Sequence, residues 1–383
     1  MPERSAWTGS LDLPERIQVP IRMELDLSSA TPSGTFIVGT EKTPIPELSH
    51  NGDSLVLKFS EYGAEMHAVW DGHQLTGEYL RIRSAGTKSF PFSVSPDAAP
   101  TTSQTFATAP PTGTFQVRFD DEKDDAVVAR LSANHDGAYL GAFIAPDGDY
   151  GLLAGQAIDG KIQLSRFTGW QAVAIELQPS GKGWAGTLHA ASMDKPRSFT
   201  LEPTDKELPV PASKQTSMKS PNSPFAFACS SSTGETVRNT DERFKGKALL
   251  VDIMGTWCHN CMDESPVLQK IYEKFPRNEL EIVGLSFEIN DDAELGKKNL
   301  ALYRDRFRIT YPMLYCGSVD DPDVDKQLKS QMQNFFAYPT TLFIDKKSKV
   351  QTVHAGFHGP GAGDEKYQSQ IRKLNELAAQ AAR

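Results

Sequence analysis

The feature that most constrains the fold is a pair of cysteines at the junction between an apolar strand and a helix. Residues 249–268 begin as an apolar run, pass through a short turn and continue as an amphipathic helical pattern after Cys258. This order is typical of a strand-to-helix unit in an α/β sheet. A thiol at a helix start faces unpaired backbone N–H groups and the positive end of the helix dipole, which favour the thiolate of Cys258.

The spacing of the two cysteines predicts dithiol–disulfide exchange. Cys261 lies one helical turn after Cys258, so Cys258 can attack a substrate disulfide and Cys261 can resolve the mixed disulfide. As an alternative, the pair could form half of a zinc site with His354 and His358, although no second closely spaced ligand pair occurs. Met262 occupies the position where c-type haem attachment requires histidine. We therefore expect no metal or organic cofactor beyond the redox-active disulfide.

After residue 222, apolar strand patterns alternate with helical patterns. Strands are predicted at 225–228, 248–254, 281–287, 312–315, 340–345 and 350–355. Helices are predicted at 259–275, 292–307, 323–334 and 364–382. Such alternation predicts an α/β domain with a central sheet over residues 223–383.

Residues 1–205 instead have the pattern of an all-β domain. Apolar and polar residues alternate with the period of half-buried strands, for example at 19–27, 54–59 and 161–167. Dipeptides that favour tight hairpin turns separate such runs: Asn51-Gly52, Asp71-Gly72, Asp136-Gly137, Asp147-Gly148 and Asp159-Gly160. We expect antiparallel meanders packed as a sandwich or closed as a barrel. The Pro-rich stretch 206–222 is predicted to be a linker to the α/β domain.

Short segments recur in the same order in the two halves of the β-rich region. The pairs are 33–36 with 112–115, 52–57 with 160–164, 75–78 with 184–187, and 92–96 with 199–203. The recurrence suggests two repeated units, 1–97 and 110–205, joined by the Pro-, Thr- and Ala-rich stretch 96–112.

The overall composition excludes some classes of protein. A formal net charge of -9, with acids and bases mixed along the chain, argues against a nucleic-acid binder. No apolar run approaches the ~18 residues that span a bilayer, and no apolar leader-like segment follows Met1. We therefore expect either a cytosolic product or a mature chain whose leader has been removed. The isolated Cys229 and Cys316 are expected to be buried thiols, with a bridge or a second redox pair as alternatives.

The segment Trp257-Cys258-His259-Asn260-Cys261 resembles the W-C-x-x-C active site of the thioredoxin superfamily. Its surroundings resemble the TlpA/ResA-like branch of thiol-disulfide oxidoreductases over about residues 222–382. Five further pieces carry this resemblance: Phe225-Ala226-Phe227, Phe244-Lys245-Gly246-Lys247, Glu264-Ser265-Pro266, Tyr338-Pro339-Thr340-Thr341 and Gly356.

The resemblance implies a substrate groove around Cys258. Pro339 would follow a cis peptide bond, which places the backbone of Tyr338 beside Cys258 to bind an extended peptide. The groove would also include Trp257, His259 and Asn260.

The resemblance also implies a buried carboxylate behind Cys261 that moves its proton. Asp252 matches the acid of thioredoxins, and Glu264 matches the acid of the ResA-like branch. The presence of both leaves open which one acts. Asp252 could instead be a strand-end acid without a catalytic role, and Glu264 a first-turn carboxylate favoured by the helix dipole.

The sequence thus predicts an enzyme that exchanges its Cys258–Cys261 dithiol with protein disulfides. By resemblance it is an extracytoplasmic reductase of the periplasm or cell envelope, supplied by a membrane-linked or thioredoxin-type electron donor, with the cytoplasm as an alternative. A second hypothesis is a binding or assembly protein in which residues 1–205 recognise a partner. A third is a thiol peroxidase, but Gly255 stands three residues before Cys258, where the pattern P-x-x-x-T-x-x-C has its threonine. Redox direction, client and oligomeric state stay open.

Overall fold

The computed structural model describes residues 1–83, 86–96, 111–122, 126–133, 138–158, 160–181, 183–205, 208–221 and 223–383. The Asp136-Gly137 turn, Asp159 and most of the 96–112 joint lie outside the described residues. The chain forms two compact units. The first contains Met1–Ala145 and Tyr150–Pro209, and the second contains Val210–Arg383 together with the short segment Pro146–Asp149.

The first nine strands form one antiparallel sheet in the order β4-β3-β2-β1-β9-β8-β7-β6-β5. They are β1 (Arg4–Leu13), β2 (Ile17–Asp26), β3 (Ser33–Val38), β4 (Glu41–Pro44), β5 (Glu47–Asn51), β6 (Ser54–Phe59), β7 (Ala64–Trp70), β8 (Leu75–Arg83) and β9 (Gly86–Pro96). In β2 the alternating residues Val19, Ile21, Met23 and Leu25 are buried, as the period-two pattern predicts.

The next strands form a second antiparallel system. They are β10 (Gly113–Phe119), β11 (Val127–Ala133), β12 (Tyr139–Ala145), β13 (Gly148–Asp149), β14 (Leu153–Ile158), β15 (Lys161–Phe167), β16 (Ala172–Ser180), β17 (Gly183–Ala190) and β18 (Arg197–Pro203). Apart from the short β13, their order is β11-β10-β18-β17-β16-β15-β14-β12. Because β11 also pairs with β12, this sheet closes into a barrel. The prediction of an all-β N-terminal region is confirmed.

The strands of the two systems are arranged in the same order, with β1–β9 of the first corresponding to β10–β18 of the second. β10 pairs with β18 just as β1 pairs with β9. Three of the four recurring sequence segments lie on equivalent strands, namely β6 with β15, β8 with β17, and β9 with β18. The segments 33–36 and 112–115 lie in β3 and at β10, which are not equivalent. Duplication of the region stays a prediction.

An ion pair with a buried arginine and a ring contact join the two β systems of the first unit. Arg166 of β15 is 1% exposed and donates from both Nη atoms to the Glu41 carboxylate of β4, at 2.7 and 2.8 Å. Phe36 of β3 packs edge-on against Phe167 of β15, with ring centroids 5.1 Å apart. The buried guanidinium of Arg166 requires this partner, because a buried charge without compensation would be costly.

The second unit is an α/β layer structure, which confirms the predicted fold class. Its strands are β19 (Ser217–Met218), β20 (Ala228–Ser230), β21 (Thr236–Arg238), β22 (Ala248–Met254), β23 (Leu280–Glu288), β24 (Met313–Ser318), β25 (Met332–Gln333), β26 (Thr340–Ile344) and β27 (Val350–Ala355). Its helices are α1 (His259–Lys274), α2 (Ala293–Phe307), α3 (Pro322–Gln331) and α4 (Asp364–Ala381). The main sheet has the order β21-β20-β24-β23-β22-β26-β27.

Strands β22, β23 and β24 are parallel, whereas β26 and β27 are antiparallel to their neighbours. Every residue of β22 and β23 is buried, as expected for central strands covered on both faces. The chain also has single 3-10 turns at Pro14–Arg16, Ser60–Tyr62, Ala212–Lys214, Glu242–Phe244 and Pro360–Ala362. Within the described ranges, no helix is both long and apolar enough to cross a membrane.

Part of the predicted linker 206–222 has regular structure. β19 pairs with β25, Met218 is buried, and the Thr216 hydroxyl donates to the Asn334 carbonyl at 2.8 Å. The same pairing explains why α3 ends at Gln331 and not at residue 334. The local composition could not reveal this partner, which lies more than a hundred residues away.

Cys229 and Cys316 form a disulfide, so the expectation of two buried thiols was wrong. Cys229 lies in β20 and Cys316 in β24, and these strands pair at Ser230 and Tyr315. The pairing brings the two Cα atoms to 4.7 Å, within the range for a bridge. The bridge was not predictable, because the neighbour of the short strand β20 is not specified locally.

We expect the double variant Cys229→Ala/Cys316→Ala to lower the free energy of unfolding of the second unit by about 2–4 kcal/mol, since the bridge closes a long loop in the unfolded chain. The measurement is a urea unfolding curve in which hydrogen exchange of the β20 and β24 amides reports the unfolding of the second unit. Cys258→Ser, which removes a thiol but no bridge, is the control. An unchanged midpoint in the double variant would contradict the prediction.

Candidate active site

Cys258 lies where the buried strand β22 gives way to α1, and it is the N-cap residue of that helix. Its sulfur accepts a hydrogen bond from the Cys261 backbone N–H at 3.3 Å. Its thiol also donates to the Tyr338 carbonyl at 3.2 Å. Both cysteines are free thiols, with exposures of 6% for Cys258 and 1% for Cys261. The outer sulfur is therefore held by backbone groups on two sides, and the inner one is sealed beneath it.

The loop opposite Cys258 contains the predicted cis peptide bond, between Tyr338 and Pro339. This loop leads directly into β26, which pairs with β22 through Ile253 and Thr340. Strand pairing thus places the loop beside the end of β22, where Cys258 follows. On the far side, the Gly356 N–H donates to the Pro339 carbonyl at 2.7 Å, which ties the end of β27 to the same loop.

Aromatic side chains form a wall next to Cys258. The rings of Trp257 and Tyr338 meet edge-on with centroids 5.6 Å apart, and Phe335 contacts Tyr338 in the same way at 5.4 Å. The indole N–H of Trp257 donates to the Phe287 carbonyl at 2.8 Å, which fixes the ring. Burial raises the pKa of Tyr338, so its hydroxyl stays protonated at physiological pH. The wall is consequently apolar and uncharged.

The two candidate acids are both buried, Asp252 at 1% exposure and Glu264 at 0%. The Thr341 hydroxyl donates to both Glu264 oxygens, at 3.1 and 3.2 Å. Neither carboxylate oxygen of Asp252 has a hydrogen-bond partner among the residues that the structure describes. Burial raises the pKa of Asp252 to about 7. Burial, followed by the Asp252 charge, raises the pKa of Glu264 well above its ordinary value.

The location of Glu264 does not fit the alternative that it is a first-turn carboxylate favoured by the helix dipole. The first turn of α1 contains no acidic residue, and Glu264 lies in the second turn on the buried side. A solvated carboxylate that only complements the helix dipole does not fit this position.

Cys261 is in surroundings that oppose its ionisation. Burial raises the pKa of its thiol, and the hydrogen bond and charge of Cys258 and the charge of Asp252 act in the same direction. Below α1, the Tyr303 hydroxyl and the Ser265 hydroxyl share a 2.8 Å hydrogen bond within this buried region. A reaction that uses Cys261 as a nucleophile therefore needs a nearby group to accept its proton.

A buried carboxylate that sequence reasoning missed supports the turn before Cys258. Glu288, at the end of β23, accepts a 2.6 Å hydrogen bond from the Thr256 hydroxyl and another from the Ser286 hydroxyl. All three side chains are fully buried. The only signal in the sequence is an acid at the end of an apolar strand, and it does not reveal that β23 lies beside the turn.

The remaining groove candidates lie on the first turn of α1. His259 faces Asp263 one turn along the helix, with Nε2 and Oδ2 3.6 Å apart. Asn260 donates from Nδ2 to the Asp147 carbonyl at 3.4 Å. Trp257 and Tyr338 thus contact each other next to Cys258, and Asn260 meets the segment Pro146–Asp149.

His354 lies in β27, and His358 follows shortly after the end of that strand. Both are half-buried, and Gln370 of α4 links them, with contacts of 3.1 Å to His354 Nε2 and 3.3 Å to His358 Nδ1. Burial lowers the pKa of His354. Across the described parts of the chain, no group of three or more His, Cys, Asp or Glu side chains is arranged to hold a metal ion.

Comparison with known proteins places these features in a family context. The model of the AhpC/TSA family matches residues 222–353. The thioredoxin-like protein YneN of Bacillus subtilis is 30% identical over 112 residues, which are 29% of this chain and 58% of YneN. The thiol-disulfide oxidoreductase ResA of Geobacillus thermodenitrificans is 29% identical over 133 residues, 34% of this chain and 66% of ResA. The chain thus spans less than two thirds of the length of these relatives.

Two further proteins complete the comparison. The thiol:disulfide interchange protein DsbE of Pseudomonas fluorescens is 29% identical over 117 residues, 30% of this chain and 56% of DsbE. A solved thioredoxin-family thiol:disulfide interchange protein of Chlorobium tepidum is 18% identical, covers 42% of this chain and 96% of its own, and gives a TM-score of 0.32. Residues 222–353 thus match the AhpC/TSA family model, and the C-terminal region of this chain is similar to the ResA thiol-disulfide oxidoreductases.

Proposed function

We propose that the chain is a thiol-disulfide oxidoreductase that exchanges the Cys258–Cys261 dithiol with disulfides in other proteins. The observation that carries this proposal is the position of the Cys258 sulfur, 3.3 Å from the Cys261 N–H and 3.2 Å from the Tyr338 carbonyl. A sulfur at that point can react while a substrate backbone lies along Tyr338. The names of the relatives support the same activity.

In the proposed reaction, the Cys258 thiolate attacks one sulfur of a substrate disulfide and a mixed disulfide forms. The other substrate sulfur leaves as a thiolate and takes up a proton. Cys261 then loses its proton and attacks the Cys258 sulfur, which releases the second substrate thiolate. The substrate has gained two electrons and the enzyme holds a Cys258–Cys261 disulfide. The same steps run backwards when a reduced client meets the oxidised enzyme.

We assign the proton of Cys261 to Asp252. Cys261 is buried with a raised pKa, so it does not become a nucleophile without a base. The Asp252 oxygens have no hydrogen-bond partner in the described part of the chain, and its pKa of about 7 suits proton transfer at neutral pH. Glu264 is engaged by the Thr341 hydroxyl, and burial raises its pKa well above the ordinary value.

We further propose that the protein works as a reductase outside the cytoplasm. The Cys229–Cys316 bridge supports this compartment, since structural disulfides persist where the surroundings are oxidising. There the reduced state of Cys258 and Cys261 has to be restored by another dithiol, which is either membrane-linked or thioredoxin-like. The first unit, in whose described residues we identify no catalytic constellation, would recognise the client or a partner. The exchange as proposed uses no cofactor besides the two sulfurs.

The proposal predicts that the chain reduces the disulfides of insulin with dithiothreitol as the electron source. Cys258→Ser is expected to abolish the catalysed rate, because no other residue can form the first mixed disulfide. Cys261→Ser is expected to accumulate a covalent mixed disulfide with the substrate, because resolution is blocked. The readouts are insulin precipitation and non-reducing gel electrophoresis.

The double variant Cys229→Ala/Cys316→Ala is the control, since it leaves the reacting pair in place. Equal insulin turnover by the wild type and Cys258→Ser would overturn the proposal. A parallel peroxide-consumption assay would separate it from the thiol peroxidase alternative, in which peroxide and not insulin is turned over through Cys258.

The assignment of Asp252 also predicts a pH-dependent stability. Its pKa rises from 3.8 in the unfolded chain to about 7 in the folded protein, so the folded state binds the proton more tightly. Stability therefore falls as pH rises from about 4 to 7, and the full cost is present above pH 7. Asp252→Asn cannot ionise, and it should be more stable than the wild type at about pH 8 by on the order of 3 kcal/mol, with little difference near pH 4.

Urea unfolding at both pH values measures this difference, and stopped-flow release of a bound substrate thiol measures the resolving step, which Asp252→Asn should slow. Glu264→Gln is the matched comparison, because it removes the other buried carboxylate. If Glu264→Gln slowed resolution and Asp252→Asn did not, the assignment of the two acids would be reversed.

A further inference from the structure

The second unit contains a short segment, Pro146–Asp149, that packs against the turn between the two cysteines. The Asp147 carbonyl accepts the contact from Asn260 Nδ2 at 3.4 Å. Gly148 is buried and has a φ of +152°. A Cβ atom at Gly148 would lie 1.9 Å from Asn260 Nδ2, so only glycine allows this approach. The segment therefore covers one side of the cysteine turn at close range.

The same segment is fixed to the residues that follow β27. The Phe357 N–H donates to the Asp147 carbonyl at 3.3 Å, and Gly148 forms a β-bridge with Phe357. The carboxylate of Asp149, which is 3% exposed, accepts the Gly359 N–H at 2.8 Å. A hydrogen bond to a buried charged acceptor is among the stronger ones in proteins. These contacts hold the segment in one position.

Gly356 connects this arrangement to the cis-proline loop. Its N–H donates to the Pro339 carbonyl at 2.7 Å. Its φ is +79°, and a Cβ there would lie 2.6 Å from the Pro146 carbonyl oxygen. The segment thus touches the cysteine turn on one side and, through Gly356, the loop that faces Cys258 on the other.

We propose that Pro146–Asp149 is a specificity-determining rim of the active site, which admits extended peptide disulfides to Cys258 and keeps out bulky folded ones. The rim segment meets Asn260, the rings of Trp257 and Tyr338 lie next to Cys258, and Cys258 is only 6% exposed. A substrate sulfur has to reach it between these two boundaries. A narrow chain that lies along Tyr338 fits this approach, whereas a disulfide flanked by folded structure does not. The role of the rim in selecting substrate disulfides rests on the proposed function.

The experiment measures access to Cys258 by alkylation, in a Cys261→Ser background so that one unbridged thiol remains. Iodoacetamide is the small probe and maleimide-polyethylene glycol is the bulky one. Asp149→Ala removes the acceptor of the Gly359 N–H, and it should raise the bulky-probe rate about tenfold through a larger displaced population of the rim segment. The iodoacetamide rate should stay unchanged. Asp149→Asn keeps an acceptor oxygen and should retain most of the discrimination.

Gly148→Ala is the second variant, since its Cβ would collide with Asn260 and displace the rim segment while the rest of the chain folds. Its matched control is Gly160→Ala, where φ is also positive, +77°, but nothing lies within 4 Å of the added Cβ. Asp345→Ala is the control for Asp149→Ala, because Asp345 also accepts backbone N–H groups, in the turn between β26 and β27.

The inference is overturned if Asp149→Ala and Gly148→Ala leave the ratio of bulky to small probe unchanged, or if the controls raise it equally. Alkylation does not depend on disulfide exchange, so this result is separate from the insulin assay. A shifted ratio in a protein that does not reduce insulin would refute the proposed function and keep the rim. Insulin reduction with an unshifted ratio would refute the rim and keep the proposed function.

Discussion

Burial of Cys261 beneath the first turn of α1 is the constraint on which the rest of the site depends. A sealed thiol resists ionisation, and its desolvation raises its pKa. The surrounding fold compensates by burying Asp252 nearby, although the same desolvation makes that carboxylate costly to ionise. Asp252 lies in the fully buried strand β22, and Cys261 lies in the helix that follows it. The central sheet therefore excludes water from both groups, and their pKa values stay raised.

The two cysteine pairs lie in different surroundings, which suit one pair to a structural disulfide and the other to a disulfide that opens and closes. Cys229 and Cys316 face each other from neighbouring strands, so their bond joins two parts of the sheet. Cys258 and Cys261 lie on one turn of helix, where one sulfur is bound by backbone groups and the other is enclosed. A bond between strands holds the sheet together, whereas a bond within a helix turn can open and close with little movement of the backbone.

The limits of sequence reasoning follow the range of the interactions involved. β22 and β27 were predicted with their observed bounds, and α1 to within one residue, because strand and helix patterns are local. Cys258, Cys261 and Pro339 could be proposed as site residues because they belong to short motifs. Three classes of feature were missed: the Cys229–Cys316 bridge, Glu288 behind Thr256, and the β19–β25 pairing. Each requires knowledge of which strands become neighbours, and the residues of one element do not specify that.

The Asp147-Gly148 dipeptide shows the same limit at a single turn. Its sequence is that of an ordinary hairpin turn, as is Asp71-Gly72, and both glycines have positive φ. A Cβ at Gly72 would meet nothing within 4 Å, whereas one at Gly148 would overlap the Asn260 side chain. The two turns are therefore alike in local backbone preference and differ only in their tertiary neighbours. Because Gly148 packs directly against Asn260, a turn far from the cysteine motif in sequence lies beside that motif in the fold.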